Sequence, residues 1–267
     1  MLSLPIPDKS SPIRYEEVQA SNGGSVGEIV EQLTKGKIPR HSRCHLDPDI
    51  RAEALERTPG WRPLLGQVGS SQTHLAKAGI SVGDVFLFFG WFRRVVKNDA
   101  RWVYERNAPD LHVLWGWLQV GEIHTVRHPP FIGLEWAHYH PHFHGERRGN
   151  NTVYVAAERL SLANSLDGEL PGAGAFGAIL NLLTLTAPGH SRRSTWQLPG
   201  WFRPSTSESA LSYHSELSRW TERGDSVELS SAGRGQEFVL DCDHYPWATE
   251  WLRELVTSSL PTPRSVG

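Results

Sequence analysis

Two continuous apolar runs, Asp84-Val85-Phe86-Leu87-Phe88-Phe89 and Leu111 to Ile123, do most to limit how this chain can fold. Their aromatic and β-branched content predicts strands rather than helices. In the second run Leu111, Val113, Trp115 and Trp117 share one face of an extended chain, while Leu114, Leu118 and Val120 share the other. Neither face is polar, so both must be covered by other elements.

Further elements follow from local patterns. Ser25 and Glu28 have capping-box spacing, and Val26, Ile29, Val30 and Leu33 form a helical stripe, which predicts a helix over 26–34 ended by Gly36 and Pro39. Thr152 to Ala156 reads as a third strand and Gln236 to Leu240 as a late one. Pro246 fits the first turn of a closing helix whose stripe is Trp247, Trp251 and Leu255 with Leu252 and Val256. The segment from His41 to Ile50 reads as a loop, and Trp61 to Leu75 as a loop with one short helix. The sum is an α+β chain with a mixed sheet and peripheral helices, a single compact domain over 1–260 and a flexible tail at 261–267.

Composition excludes several classes. No apolar run is long enough to span a membrane, the first residues lack a secretory pattern, and two cysteines, Cys44 and Cys242, make no disulfide scaffold, so a cytoplasmic protein without membrane contact is expected. With 27 Lys plus Arg against 29 Asp plus Glu, global attraction to phosphate backbones is absent. DNA contact would have to use local patches at Arg93-Arg94, Arg147-Arg148 or Arg192-Arg193. Phosphate-cradling, dinucleotide, nucleophile-elbow and zincin motifs are missing.

Chemistry points to histidines. In Cys44-His45-Leu46-Asp47-Pro48-Asp49, His45 and Asp47 lie two apart, so an extended backbone turns both to one side. That is the His-x-Asp half of a two-histidine, one-carboxylate site, which suits iron(II) and leaves positions open; other divalent metals also fit. The same residues also suit a turn in which Asp47 or Asp49 accepts backbone hydrogen bonds. Downstream, His138, His140, His142 and His144 alternate, and on a strand all four would face one way. His140 or His142 could complete the ligand set, although a solvated loop is the plainer alternative. Asp49 is the candidate general base or supporting carboxylate. Gln67, Gln72, Arg234 and Gln236 are candidates to orient a substrate, with His74 and His214 in reserve.

Taken together, LSLPIPD, CHLDPDI, GWRPLLGQ, VGDVFLFFGWF, LHVLWGWLQVGEI, NTVYVA, LPGAGAF and SAGRGQEFVLD make the chain resemble the nucleotide modification associated domain 3 family along nearly its whole length. The resemblance implies a link to modification of bases in DNA. It also implies a His-x-Asp-Pro-acid element, matched by His45, Asp47, Pro48 and Asp49. Family members carry a further glycine-rich segment and strand before the LPIPD element, on which this chain almost begins. The pairing of GDVFLFF with WGWLQVGEI is similar to the barrel of PUA, EVE and ASCH domains, several of which hold flipped bases.

The leading expectation is a metal-dependent oxidoreductase, using iron(II), that oxidises or hydroxylates a nucleobase-like or amide-bearing substrate, with 2-oxoglutarate left open as a cosubstrate. Two alternatives stand beside it: a PUA-like reader that binds a modified base without turnover, and an iron oxygenase acting on a peptide or small molecule. Oligomeric state is left open.

Overall fold

The computed structural model describes residues 1–21, 23–145, 149–162, 170–206, 211–232 and 237–258. In chain order the elements are β1 (Ile6–Pro7), α1 (Val26–Leu33), β2 (Cys44–His45), β3 (Leu64–Gln67), α2 (Gly69–Lys77), β4 (Val85–Phe92), β5 (Val95–Asn98), β6 (Arg101–Tyr104), β7 (Leu111–Thr125), β8 (Thr152–Ala156), β9 (Ala173–Ala175), β10 (Thr195–Pro199), β11 (Trp220–Arg223), β12 (Ser226–Ser230) and α3 (Trp247–Ser258). The two apolar runs become β4 and β7, the spine of an antiparallel sheet ordered β3-β8-β7-β4 with β9 also on β7. Separate small sheets pair β1 with β2, β5 with β6, and β12 with both β10 and β11. The architecture is α+β.

The barrel alternative needs correction. Among the described residues every sheet is open: β3 and β4 end the central sheet and do not pair with each other. A barrel requires that closure.

Both faces of β7 are covered, although not by the residue sets that strict alternation predicts. Trp117 packs with Val113, Trp196, Leu198 and the α3 residues Leu252, Leu255 and Val256. Trp115 instead joins Leu118, Val120, Leu75 and Tyr154 on the other side. The register with β4 shifts between Phe88 and Phe89, which pair with Gly116 and Leu114, so Trp115 sits in a bulge. One extra residue resets the side-chain parity of a strand, and the two tryptophans part company there.

The first helix forms as its sequence predicts, with the Ser25 hydroxyl accepting from the Gly27 N–H and Val26, Ile29 and Val30 buried. Glu28 does not complete a capping box; its carboxylate accepts from Gln32. The helix stops in two left-handed residues, Lys35 at φ 54° and Gly36 at φ 78°, whose N–H groups donate back to the carbonyls of Gln32 and Glu31. In α3 the stripe runs through Ala248, Leu252, Leu255 and Val256, while Trp247 lies outside it, 59% exposed. Residues 237–240 form no strand; Val239 exchanges hydrogen bonds with Ser212 instead. Gln236 and the 261–267 tail lie outside the described residues. Among the described residues no helix is long and apolar enough to cross a membrane.

Candidate metal centre

The central sheet ends at β3, whose outer edge would leave peptide groups unpaired, and the loop after β2 runs along that edge. Asp49 and Leu64 exchange backbone hydrogen bonds, and the Gly66 N–H donates to Asp47 Oδ1 at 2.8 Å. The Asp47–Pro48 peptide between them is cis. His45, on β2, pairs with Ile6 of β1, and this short ladder brings Asp8 against the imidazole: His45 Nδ1 to Asp8 Oδ2 is 2.8 Å.

The histidine array supplies the opposite wall, but not as a strand. Residues 141–143 form a 3-10 turn begun by Pro141, so His140 and His142 turn inward while His138 and His144 do not share their direction. The His138 ring packs on Phe131 and Phe143, and its carbonyl accepts from His144. Asp47 collects three imidazoles: His140 Nε2 lies 3.4 Å from Oδ1, His142 Nε2 3.4 Å from Oδ2, and His45 Nε2 3.6 Å from Oδ2. His45 and His142 have ring centroids 5.3 Å apart. One ligand atom each from His45, Asp47 and His142 fall within 4.8 Å of one another.

The outward nitrogens decide what the inward ones can be. His45 Nδ1 faces the Asp8 carboxylate, and His142 Nδ1 lies 2.6 Å from the Asn151 carbonyl oxygen, which is held by Asn151 Nδ2 donating to the carbonyls of Val126 and His142. Both Nδ1 atoms therefore carry the proton, and both Nε2 atoms direct a lone pair at Asp47. Buried lone pairs facing a carboxylate repel it unless a cation or added protons stand between. His140 differs: its Nδ1 accepts from the His142 N–H, which leaves the proton on Nε2, buried and 3.4 Å from Asp47 Oδ1. Ligand bonds of about 2.0–2.2 Å place neighbouring ligand atoms roughly 3.0–3.5 Å apart, near the separations found here. The donor set therefore fits a divalent cation.

Titration shows how strongly the pocket favours positive charge beside Asp47. Burial opposes the Asp47 charge, but the imidazoles of His140, His142 and His45, when they present protons to it, outweigh burial and hold the carboxyl well below its usual range. Burial also disfavours a charged His45, yet Asp47 and Asp8 raise it above the ordinary imidazole value. His140 is pushed down, chiefly by burial, which Asp47 only partly offsets. For Asp8, burial acts upward while His45 and Ser10 win and draw it to about 2.

Glycine is required at position 66 for space. A Cβ there would sit 2.2 Å from His142 Cδ2 and 2.3 Å from Cγ, so this one residue holds Asp47 through its N–H and makes room for the ring.

Of the two parts expected of Asp49, general base or supporting carboxylate, its contacts fit the second. It is buried, Arg57 grips both its oxygens at 2.6 and 2.7 Å, and the Tyr139 hydroxyl donates to Oδ2 at 2.7 Å. Trp61 Nε1 in turn donates to that hydroxyl at 2.7 Å, and the Arg57 guanidinium stacks 4.0 Å over the Trp61 ring. Both oxygens of Asp49 are thus engaged by Arg57, and one of them also by Tyr139. The network ties the loop bearing His45 and Asp47 to the segment bearing His140 and His142.

A cavity of about 110 Å³ opens beside His45 and Asp47, walled by Leu4, Ile6, Ile50, Arg51 and Trp115 among others. The remaining candidates are not brought to it. Gln67 follows Gly66 on β3 and so projects from the opposite face. Gln72 is buried on that far side, accepting from the Tyr154 hydroxyl at 2.9 Å. Arg234 and Gln236 lie outside the described residues, as do Arg147 and Arg148. His74 meets Ser212, and His214 accepts from the Ala232 N–H in the core, so both have structural partners. Sequence reasoning missed Asp8, Gly66, Tyr139 and Asn151 as site residues, although Asp8, Gly66 and Asn151 stand in the LSLPIPD, GWRPLLGQ and NTVYVA elements and Tyr139 inside the histidine array.

A family model for nucleotide modification associated domain 3 matches residues 1–241. No curated protein and no solved structure matches the chain.

Proposed function

Because this chain belongs to the nucleotide modification associated domain 3 family, we propose that it is a metal-dependent enzyme that modifies a nucleobase-like substrate, with iron(II) held by His45, Asp47 and His142 and with His140 alongside. The observation that carries the reading is the inward set of imidazole Nε2 atoms around one buried carboxylate, with Nδ1 of both His45 and His142 already committed. When bound, the ion would supply a Lewis-acidic, redox-capable centre, the usual occupant of two-histidine, one-carboxylate sites with open positions.

The chain's own groups do the rest. His45 and Asp47 border the cavity, so the substrate side of the centre is theirs, while His140 and His142 close it from behind. Trp115 offers an aromatic wall for a base, and Leu4, Ile6 and Ile50 exclude water from it. Arg51, whose guanidinium is fixed by the Gln19 carbonyl and the Ser21 hydroxyl, borders the same space and adds positive charge to its wall. Hydroxylation of a C–H bond by dioxygen with a 2-oxo acid as co-substrate places one oxygen atom in the product and the other in the carboxylate left when the 2-oxo acid loses carbon dioxide, and that oxidative decarboxylation supplies the two electrons.

The test is oxygen uptake by anaerobically reconstituted protein offered a single-stranded oligonucleotide, free nucleosides or peptides, each with and without a 2-oxo acid. Iron-dependent uptake with a mass increase in a base supports the reading. No metal-dependent product from any of the three overturns it, and product from peptides alone moves it to the peptide alternative.

A further inference from the structure

Resting on the reading of the cavity as a nucleobase site, we infer that its substrate is a base within a single polynucleotide strand, and that the strand lies on the β5–β6 hairpin and the end of β4. Residues 91–106 contain Arg93, Arg94, Lys97, Arg101 and Arg106 against only Asp99 and Glu105, in a chain whose net charge is −2. Positive charge is thus concentrated on one projection of a molecule that is elsewhere acidic. The ion pairs available to Arg93 and Arg94, with Asp110 at 3.9 Å and Glu105 at 3.4 Å, are long and partly exposed. Such pairs are worth little and are readily exchanged for phosphate.

Aromatic rings stand among these cations. Trp91 is 60% exposed and Tyr104 45%. The Arg193 guanidinium lies 4.3 Å over the Trp91 ring and that of Arg93 5.1 Å over Tyr104. Exposed rings flanked by guanidinium groups are what a single strand uses, with bases stacking on the π-faces and cations tracking the backbone. A free nucleoside would need neither.

The hairpin and the cavity wall both stand on the β4–β7 pair. A Cβ on Gly90 would lie 3.5 Å from Trp115 Nε1, while Trp91, one residue on, projects from the other face of β4 at its exposed end. On the hairpin, Trp102 packs against the cluster holding Leu46, and its N–H donates to Gln32 on α1 at 2.7 Å. A strand on the hairpin would therefore have a fixed relation to His45 and Asp47.

Fluorescence anisotropy of a labelled single-stranded oligonucleotide, titrated with full-length protein at several salt concentrations, tests this. Trp91→Ala is expected to weaken binding about tenfold, within the range measured for loss of one stacked base. Arg94→Ala with Arg101→Ala is expected to flatten the dependence of log Kd on log salt by about 1.4, or ~0.7 per phosphate contact. Wild-type affinity and slope in both variants overturn the inference, as does binding confined to phosphatidylserine vesicles. Metal content measured on the same samples separates the two ideas: a wild-type chain without metal sinks the site reading, whereas variants that keep both metal and wild-type affinity sink the surface.

Discussion

Single residues carry the metal-centre reading, and Gly66 most narrowly. Its N–H fixes Asp47 and its missing side chain admits the His142 ring, so Gly66→Ala forces that ring out of line with no cavity or charge added elsewhere. We expect Gly66→Ala to bind iron(II) or zinc at least tenfold more weakly, as losses of supporting interactions around metal sites do, with an unchanged far-UV circular dichroism spectrum; isothermal titration checks it. Wild-type affinity would show that His142 is not a ligand. His45 and Asp47 were legible in the sequence because two-residue spacing fixes side-chain direction locally. Asp8, Gly66, Tyr139 and Asn151 were not, because each reaches the site through tertiary pairing between distant segments, and nothing in its own neighbourhood signals that.

Elements were legible where one periodicity ran unbroken. The apolar runs became β4 and β7 and the stripe from Val26 became α1, but the bulge at Trp115 has no compositional mark. The histidine array misled for a related reason: alternation promises a strand, and Pro141 instead starts a turn that keeps only His140 and His142 inside. The β5–β6 hairpin escaped notice because its turn, Asn98-Asp99-Ala100-Arg101, lacks the Asn-Gly or Asp-Gly pair that announces such connections. Asp99 and Ala100 both have positive φ, 48° and 64°, and an alanine there carries a steric cost of roughly 1–2 kcal/mol that glycine avoids. Ala100→Gly is therefore expected to stabilise the protein by about 1 kcal/mol in urea unfolding, less the extra chain entropy of glycine. A loss of stability would contradict the turn geometry.

For the whole molecule, the packing between the central sheet and the β10–β12 sheet sets a pH limit. His112 on β7 is buried, its Nδ1 accepts from Trp196 Nε1 at 2.9 Å, and burial, with Arg193 adding, lowers it from 6.5 to about 4. A group depressed in this way takes up its proton in the unfolded chain first, so stability should fall as pH drops from about 6.5 to about 4 and level off below. His112→Asn should remove that part of the slope in urea midpoints measured across this range; an unchanged slope would assign it elsewhere. Fold and metal centre meet in one construction, in which the free edge of the sheet seats an acidic loop and a network around Asp49 and Tyr139 clamps the histidine turn against it. The most direct test is metal content of anaerobically purified protein by mass spectrometry. One equivalent of iron, or of another divalent metal, in the wild type and less than a tenth of that in Asp47→Ala is the result expected; a wild type without metal, or equal content in the two, would contradict the account.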